Sequence, residues 1–372
     1  MLHNPANAAC RRGFGNNAET SNFKRRLKCS DVPGIGIAIH LSKLTNMKAI
    51  LVKEPGGPEQ LMLGEYEQPL PKPNELLVRV RATALNRADT LQRQGKYPPP
   101  KGESPLLGLE IAGEVVEAGI NCTRFKKGDK IMGLLPGGGY AEYAVIHEEM
   151  AMAIPDNLSM EEAAAIPEVF LTAWQAISWL GKLQAGERIL IHAGASGVGT
   201  AGIQLARALK AQVLVTASEN KVKACLDLGA HKAINYKEVP FEDEVLAYTN
   251  SEGVDVIVDF IAGPYFNQNI ACLRLDGRMV LLASLGGGKV EEFDLRQILV
   301  KRLQVIGSTL RSRTRDYQIR LTQDMAAFAM PLFENGTIKP VVDSVFDWAD
   351  VAEAHRYMEA NKNIGKIVLR VS

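Results

Sequence analysis

Gly194-Ala195-Ser196-Gly197-Val198-Gly199-Thr200-Ala201-Gly202 contains three glycines in the pattern Gly197-x-Gly199-x-x-Gly202. Glycines at that spacing let a chain turn tightly, bring backbone N–H groups close to a pyrophosphate and pack the helix that follows against the strand before it. Ser196, Gly197, Val198 and Gly199 are therefore the first candidates for holding a dinucleotide. The second group lies some twenty residues on, where Val215-Thr216-Ala217-Ser218 ends a strand. A site for NAD usually has a carboxylate there, bonded to the ribose 2′-hydroxyl. Here no acid precedes Glu219, Ser218 can donate a hydrogen bond, and Lys221 adds positive charge. That set suits a 2′-phosphate, which a carboxylate would repel, so the expected cofactor is NADPH.

These residues need a particular scaffold. Residues 188–192, 212–216, 231–235, 254–259, 278–283 and 303–308 read as strands, with helical runs between them. Apolar strands alternating with amphipathic helices make a parallel sheet covered on both faces, and six of them make a doubly wound Rossmann sheet. Before it, residues 47–52, 75–82, 113–117, 129–134 and 140–146 read as short strands between Gly- and Pro-rich turns, the pattern of a β barrel with few helices. After it come a helical stretch at 317–334, an extended run at 338–347, a helix at 351–360 and a strand at 366–371. The fold expected is α/β: a β-barrel domain at 47–166, a Rossmann domain at 167–309, and a return segment at 310–372 that completes the first domain.

Zinc alcohol dehydrogenases resemble this barrel-then-Rossmann layout, but their metal ligands have no counterpart here. A zinc-binding Cys is replaced by Asn86 in Ala84-Leu85-Asn86-Arg87-Ala88-Asp89, and a Gly-His-Glu by Gly108-Leu109-Glu110. Leu109 has no donor atom and an Asn amide is a poor substitute for a thiolate, so no metal is expected. Without a Lewis acid, reduction of an electron-poor acceptor is easier than alcohol oxidation.

Asn86-Arg87-Ala88-Asp89, Gln92-Arg93-Gln94-Gly95-Lys96-Tyr97, Leu107-Gly108-Leu109-Glu110, Leu135-Pro136-Gly137-Gly138-Gly139, Ala164-Ala165-Ile166-Pro167-Glu168, the glycine run and the ending Tyr357–Leu369 together resemble the zinc-free quinone oxidoreductases of the medium-chain dehydrogenase/reductase superfamily, the zeta-crystallin relatives. That resemblance spans residues 47–371. It implies a GroES-like barrel, NADPH, a homodimer joined through its Rossmann sheets, and ortho-quinone reduction. It places cofactor contacts on Tyr97, Ser196, Gly197, Val198, Lys221, Tyr236 and Asn363. Asn86 and Tyr97 are the polar groups expected near the reacting atoms. Asn86 would bond the acceptor carbonyl and Tyr97 would orient it, with Asp89 fixing Arg87 or Asn86. The apolar run 303–308 suits sheet-to-sheet pairing.

Two other readings stay open. One is an enone or enoyl-thioester reductase, with Arg311, Arg313 and Arg315 facing a phosphopantetheine carrier; those arginines otherwise form a solvated loop or answer Asp316 and Glu334. The other is a non-catalytic NADPH-binding protein. The net charge of +1 provides no field for nucleic acid or an anionic membrane, and no apolar run is long enough to span a bilayer. Five scattered cysteines without a CxxC pair fit a reducing compartment and a cytoplasmic location. Residues 1–46 differ: seven Arg/Lys against two acids give +5, which leaves −4 on the remainder. They read as a disordered N-terminal extension, or as a transit peptide to the mitochondrion.

Overall fold

The computed structural model describes residues 45–372. The reading of residues 1–46 falls, except for its last two residues, outside the described part.

The first region opens with an antiparallel pair, β1 (Asn46–Val52) and β2 (Leu61–Glu67). It continues with β3 (Glu75–Ala84), helix α1 (Arg87–Arg93), β4 (Glu110–Ala118), β5 (Lys130–Leu134), β6 (Tyr143–His147), β7 (Ala151–Ala153) and the short helix α2 (Met160–Ala164). Two of these elements depart from the expectation. β2 was not expected because its face is half solvated, with Met62 and Leu63 exposed, so the alternation that marks a strand is blurred. α1 is seven residues long, too short for a 3.6-residue period to show. Its start is nevertheless encoded locally, by a capping box between Asn86 and Asp89.

α3 (Pro167–Trp174) runs on into a π-helical turn, Gln175–Leu180, and leads to the second region. That region alternates β8 (Arg188–Ile191), α4 (Gly197–Ala208), β9 (Gln212–Ala217), α5 (Glu219–Asp227), β10 (Lys232–Asn235), α6 (Phe241–Tyr248), β11 (Val254–Asp259), α7 (Phe266–Cys272), β12 (Leu273–Leu281), α8 (Arg296–Lys301) and β13 (Gln304–Gly307). The six strands form one sheet in the order β10-β9-β8-β11-β12-β13, all parallel, which is the doubly wound Rossmann arrangement. Every residue of β11 is buried, as a strand covered by helices on both faces requires. The direction of winding reverses between β8 and β11, and the glycine run begins just beyond β8.

The chain then forms α9 (Arg315–Glu334), β14 (Val342–Asp347), α10 (Val351–Glu359) and β15 (Lys366–Arg370). β15 lies antiparallel to β3, with Val368 opposite Ala84 and Leu369 opposite Thr83, and β14 flanks it. The C-terminal strands thus extend the first region's GroES-like sheet, in the order β14-β15-β3-β4-β5-β7 with β6 also on β3. One core runs through both sheets, from Ile50 and Leu76 to Val215 and Leu369.

Candidate functional site

The glycine run acts as the start of α4. Ser196 is the N-cap, and its Oγ accepts the Gly199 N–H at 3.0 Å. The N–H groups of Gly197 and Val198 are left with no acceptor among the described residues. A twelve-residue helix directs two free donors and its positive dipole end outward from this point, the requirement for a pyrophosphate. Each glycine is needed for its own reason. A Cβ at Gly199 would come 2.4 Å from the Ala193 carbonyl oxygen, so the turn itself demands glycine. At Gly202 it would press on Ile191 at 3.1 Å, where helix meets strand. At Gly197 it would meet Lys366 Cδ at 2.8 Å and Val169 Cγ1 at 2.9 Å.

That last contact ties the glycine run to the C-terminal segment. Gly365 N–H donates to the Ala195 carbonyl at 2.9 Å, next to the bridge between Ser196 and Gly365. Asn363 sits on the same loop and its amide donates to the Gly365 carbonyl at 2.7 Å. Lys221 is also bound there: its ammonium donates to the carbonyls of Asn361 at 2.8 Å and Asn363 at 2.6 Å, keeping one proton, and partial burial lowers its pKa. Ser218, the N-cap of α5, gives its hydroxyl proton to Asn220 at 2.9 Å. Glu219 turns away to accept from Asn235 at 2.6 Å. Asn235 pairs with Ala217, so Tyr236 and Ser218 leave adjacent strand ends together. Tyr236 is exposed, with its ring edge-on to Tyr265 at 6.4 Å.

Behind the Gly197 turn lies a buried polar network that sequence reasoning did not find. The Lys366 ammonium, 3% exposed, donates to Asn86 Oδ1 at 2.6 Å and the Leu85 carbonyl at 2.7 Å, and lies 2.8 Å from Glu110 Oε1. Asn86 Nδ2 donates to the same Glu110 oxygen at 2.8 Å and to the Ala84 carbonyl at 3.3 Å. A fixed cation therefore fills the space between Asn86 and Glu110. With Leu109 lacking a donor atom, this set does not fit a metal ion. Asp89 accepts the backbone N–H groups of Asn86 at 2.8 Å and Gly108 at 3.0 Å, while Arg87 goes to Asn361. Of its two expected partners, Asp89 thus holds Asn86. Burial raises the Asp89 pKa to about 6 despite both N–H donors. Tyr140 OH lies 3.4 Å from Asp89 and 3.5 Å from His355 Nε2, and His355 Nδ1 faces Arg93 at 3.0 Å. Burial, then the Arg93 charge, push the His355 pKa down to about 3, so it is neutral.

Tyr97 follows α1 and is half-buried. The Arg311 guanidinium lies over its ring at 5.3 Å from the centroid, a cation–π geometry. Arg311 itself is buried; its Nε donates to the Pro136 carbonyl at 2.7 Å and both terminal nitrogens lack partners. Arg313 covers Tyr317, and Arg315 pairs with Glu75 and Glu103 rather than Asp316 or Glu334. Glu168, near the start of α3, completes the cluster: its backbone N–H is held by Glu110 Oε2 at 2.8 Å. Burial raises the Tyr97 pKa, and the Glu168 charge raises it further, against the opposite effect of Arg311. Glu168, Lys366 and Arg311 have no spacing motif to reveal them. The bonds that tie them into the cluster span 58 to 281 residues, so only the fold brings them together.

Comparison with known proteins matches "Alcohol dehydrogenase GroES-like domain" over residues 72–156 and "Zinc-binding dehydrogenase" over residues 197–327. A quinone oxidoreductase from Homo sapiens is 34% identical over 331 residues, covering 87% of this chain and 97% of that protein. Among solved structures, the CurK enoyl reductase superposes with a TM-score of 0.78 at 29% identity, covering 88% of this chain and 99% of that one. A mycobacterial protein complexed with NADPH gives 0.77 at 28% identity, over 87% of this chain and 100% of its own.

Proposed function

This chain belongs to the quinone oxidoreductase family of the medium-chain dehydrogenase/reductase superfamily, and from that premise we propose that it reduces quinones, ortho-quinones above all, with hydride from NADPH. The observation that carries the reading is the Asn86–Lys366–Glu110 cluster, where a lysine ammonium stands in place of a metal site. An acceptor that takes hydride directly needs hydrogen bonds and a proton, not a Lewis acid.

The residues present fit the cofactor. The free N–H groups of Gly197 and Val198, with Ser196 and Gly199 shaping the turn, would take the pyrophosphate. The remaining proton of Lys221 would take the 2′-phosphate, joined by the Ser218 hydroxyl on turning from Asn220, with Glu219 drawn off by Asn235. Tyr236 would border the adenine end, and Asn363 and Tyr97 the cleft. When bound, NADPH supplies the hydride. Asn86 would offer the acceptor carbonyl the amide proton it now shares with Ala84 at 3.3 Å, its weakest bond, while Tyr97 orients the ring.

We further propose a homodimer through β13, the last strand of its sheet, where Leu299 and Val300 of α8 and its N-cap Leu295 lie more than 70% exposed. Sedimentation as a monomer at micromolar concentration would dispose of it. No described helix is long and apolar enough to cross a membrane. The free thiols Cys122, Cys225 and Cys272 favour a reducing compartment: the cytoplasm, or the mitochondrial matrix if residues 1–46 direct import.

The deciding test follows NADPH consumption by residues 47–372 with 1,2-naphthoquinone, with NADH in parallel. Turnover with NADPH and little with NADH supports both halves of the reading. The likeness to an enoyl reductase favours one alternative acceptor, an enoyl thioester, and faster turnover of a crotonyl thioester would select it. Tight NADPH binding without turnover of any acceptor would mark a non-catalytic NADPH-binding protein.

A further inference from the structure

Hydride transfer to a quinone leaves an oxyanion, and the reaction is complete only when that oxygen takes a proton. Tyr97 is a weak source, because burial holds its phenol above the ordinary value, Arg311 opposing that rise and Glu168 adding to it. Glu168 is built differently. Its backbone is pinned by Glu110, and its Oε1 accepts from Thr172 Oγ1 at 3.2 Å. Oε2 has no hydrogen-bond partner among the described residues, and Glu168 is only partly buried. The Gly197 turn lies against the Asn86–Lys366–Glu110 cluster through Lys366, whose Cδ is 2.8 Å from where a Gly197 Cβ would be. One carboxyl oxygen is therefore free, and the Glu110 carboxylate that holds the Glu168 N–H also binds Asn86 and Lys366, so Glu168 belongs to the same cluster as the candidate acceptor contact.

We propose that Glu168 is the catalytic acid that passes a proton to the acceptor oxygen as hydride arrives, an inference that rests on the reductase reading above. The acceptor gains a hydride and becomes a hydroquinone monoanion. The Glu168 O–H bond breaks, the new phenolic O–H forms, and Glu168 is left as a carboxylate. Solvent water returns the proton through the open Oε2 side.

The groups facing Glu168 set its readiness. Burial is the largest influence, and the carboxylates of Glu110 on β4 and Asp89 on α1 push the same way. Lys366 on β15 and the Thr172 hydroxyl on α3 oppose them, and the balance lies at about 7. A carboxyl in that range is part-protonated at neutral pH and readily reloaded, the condition for an efficient acid.

Glu168→Gln keeps the shape and removes the proton. We expect wild-type kcat, at saturating NADPH and 1,2-naphthoquinone, to fall about tenfold per pH unit above neutrality. In E168Q it should drop on the order of 100-fold and lose that falling limb, with NADPH affinity by fluorescence titration unchanged. A readout independent of turnover is the protonated-carboxyl infrared band of the free protein. It should titrate near neutrality in the wild type, and that component should be absent from E168Q. Retention of the rate or of the falling limb in E168Q overturns the proposal, as does a Glu168 carboxyl already ionised well below neutrality. Wild type inert towards every acceptor would instead bring down the reductase reading, and this inference with it. A urea midpoint for E168Q at or above the wild-type value confirms an intact fold.

Discussion

Replacing Lys366 with Met tests whether the buried cation holds the site together. Met keeps most of the stem that packs at Gly197, so the change is electrical rather than a cavity. The ammonium makes contacts of 2.6, 2.7 and 2.8 Å, with Glu110 fully buried beside it. At the 2.8 Å separation from Glu110, Coulomb attraction at an effective dielectric of about 20 is roughly 6 kcal/mol. Desolvating the two ions costs several kcal/mol each, so the intact pair is close to break-even. Removing one member is another matter. Glu110 would keep only the Asn86 side-chain amide and the Glu168 backbone N–H as donors, and such orphaned charges cost about 3–5 kcal/mol. Urea unfolding of K366M, E110Q and the double variant measures this as a cycle. K366M should lose about 3–5 kcal/mol, and the double variant should recover at least about 2 kcal/mol of the summed losses. In K366M the Glu168 titration should also move upward, because Lys366 is the charge that restrains it. A loss in K366M below about 1 kcal/mol, or strict additivity in the cycle, would refute the reasoning.

Gly199→Ala should lose on the order of 2 kcal/mol of stability and weaken NADPH binding, since the new methyl meets backbone oxygens at 2.4 and 2.6 Å; equal affinity by fluorescence titration would contradict this. Tyr97→Phe should lower kcat without abolishing it, and complete loss with NADPH affinity intact would make Tyr97 an obligate donor instead. Arg311→Met removes the cation over the Tyr97 ring, worth about 1 kcal/mol, and should raise the acceptor KM more than it lowers kcat. His355 gives a pH dependence: its folded pKa of about 3 lies below the ordinary 6.5, so its contribution is present above 6.5 and is lost as pH falls towards 3, by up to about 5 kcal/mol. Asp89, at about 6 against an ordinary 3.8, works in the opposite sense, costing up to about 3 kcal/mol as pH rises from about 4 to 6. Urea midpoints of His355→Gln should therefore show a shallower acid decline than wild type, and an unchanged slope would exclude His355 as its source.

What could be read in advance was whatever is encoded over short range. The Rossmann strands and the turn at Gly197 announce themselves because strand period, glycine spacing and helix start lie within fifteen residues. Asn86 was legible as a polar group in the place of a zinc-binding Cys after a strand, but α1, which its capping box with Asp89 begins, was not. Nor was the chemical setting of Asn86, because Lys366 looks like any lysine at the start of a strand until β15 docks on β3. Arg311 shows the same limit from the other direction: three arginines in five residues suggest a solvated loop, yet one is buried against Tyr97 and two make separate contacts.

The docking of β15 also bears on how this chain is made. The cation that neutralises Glu110 is supplied 256 positions later, counting from Glu110 to Lys366. During synthesis β3 and β4 emerge first and must wait, with an uncompensated carboxylate and the Ala82–Ala84 end of one β3 flank unpaired, until β15 has left the ribosome. A message cut short before codon 366 would yield a Rossmann sheet with all its strands beside a barrel whose interior charge is never cancelled. Such a product would offer quality control an orphaned carboxylate and an open sheet edge, so β15 doubles as a check that translation has passed residue 366.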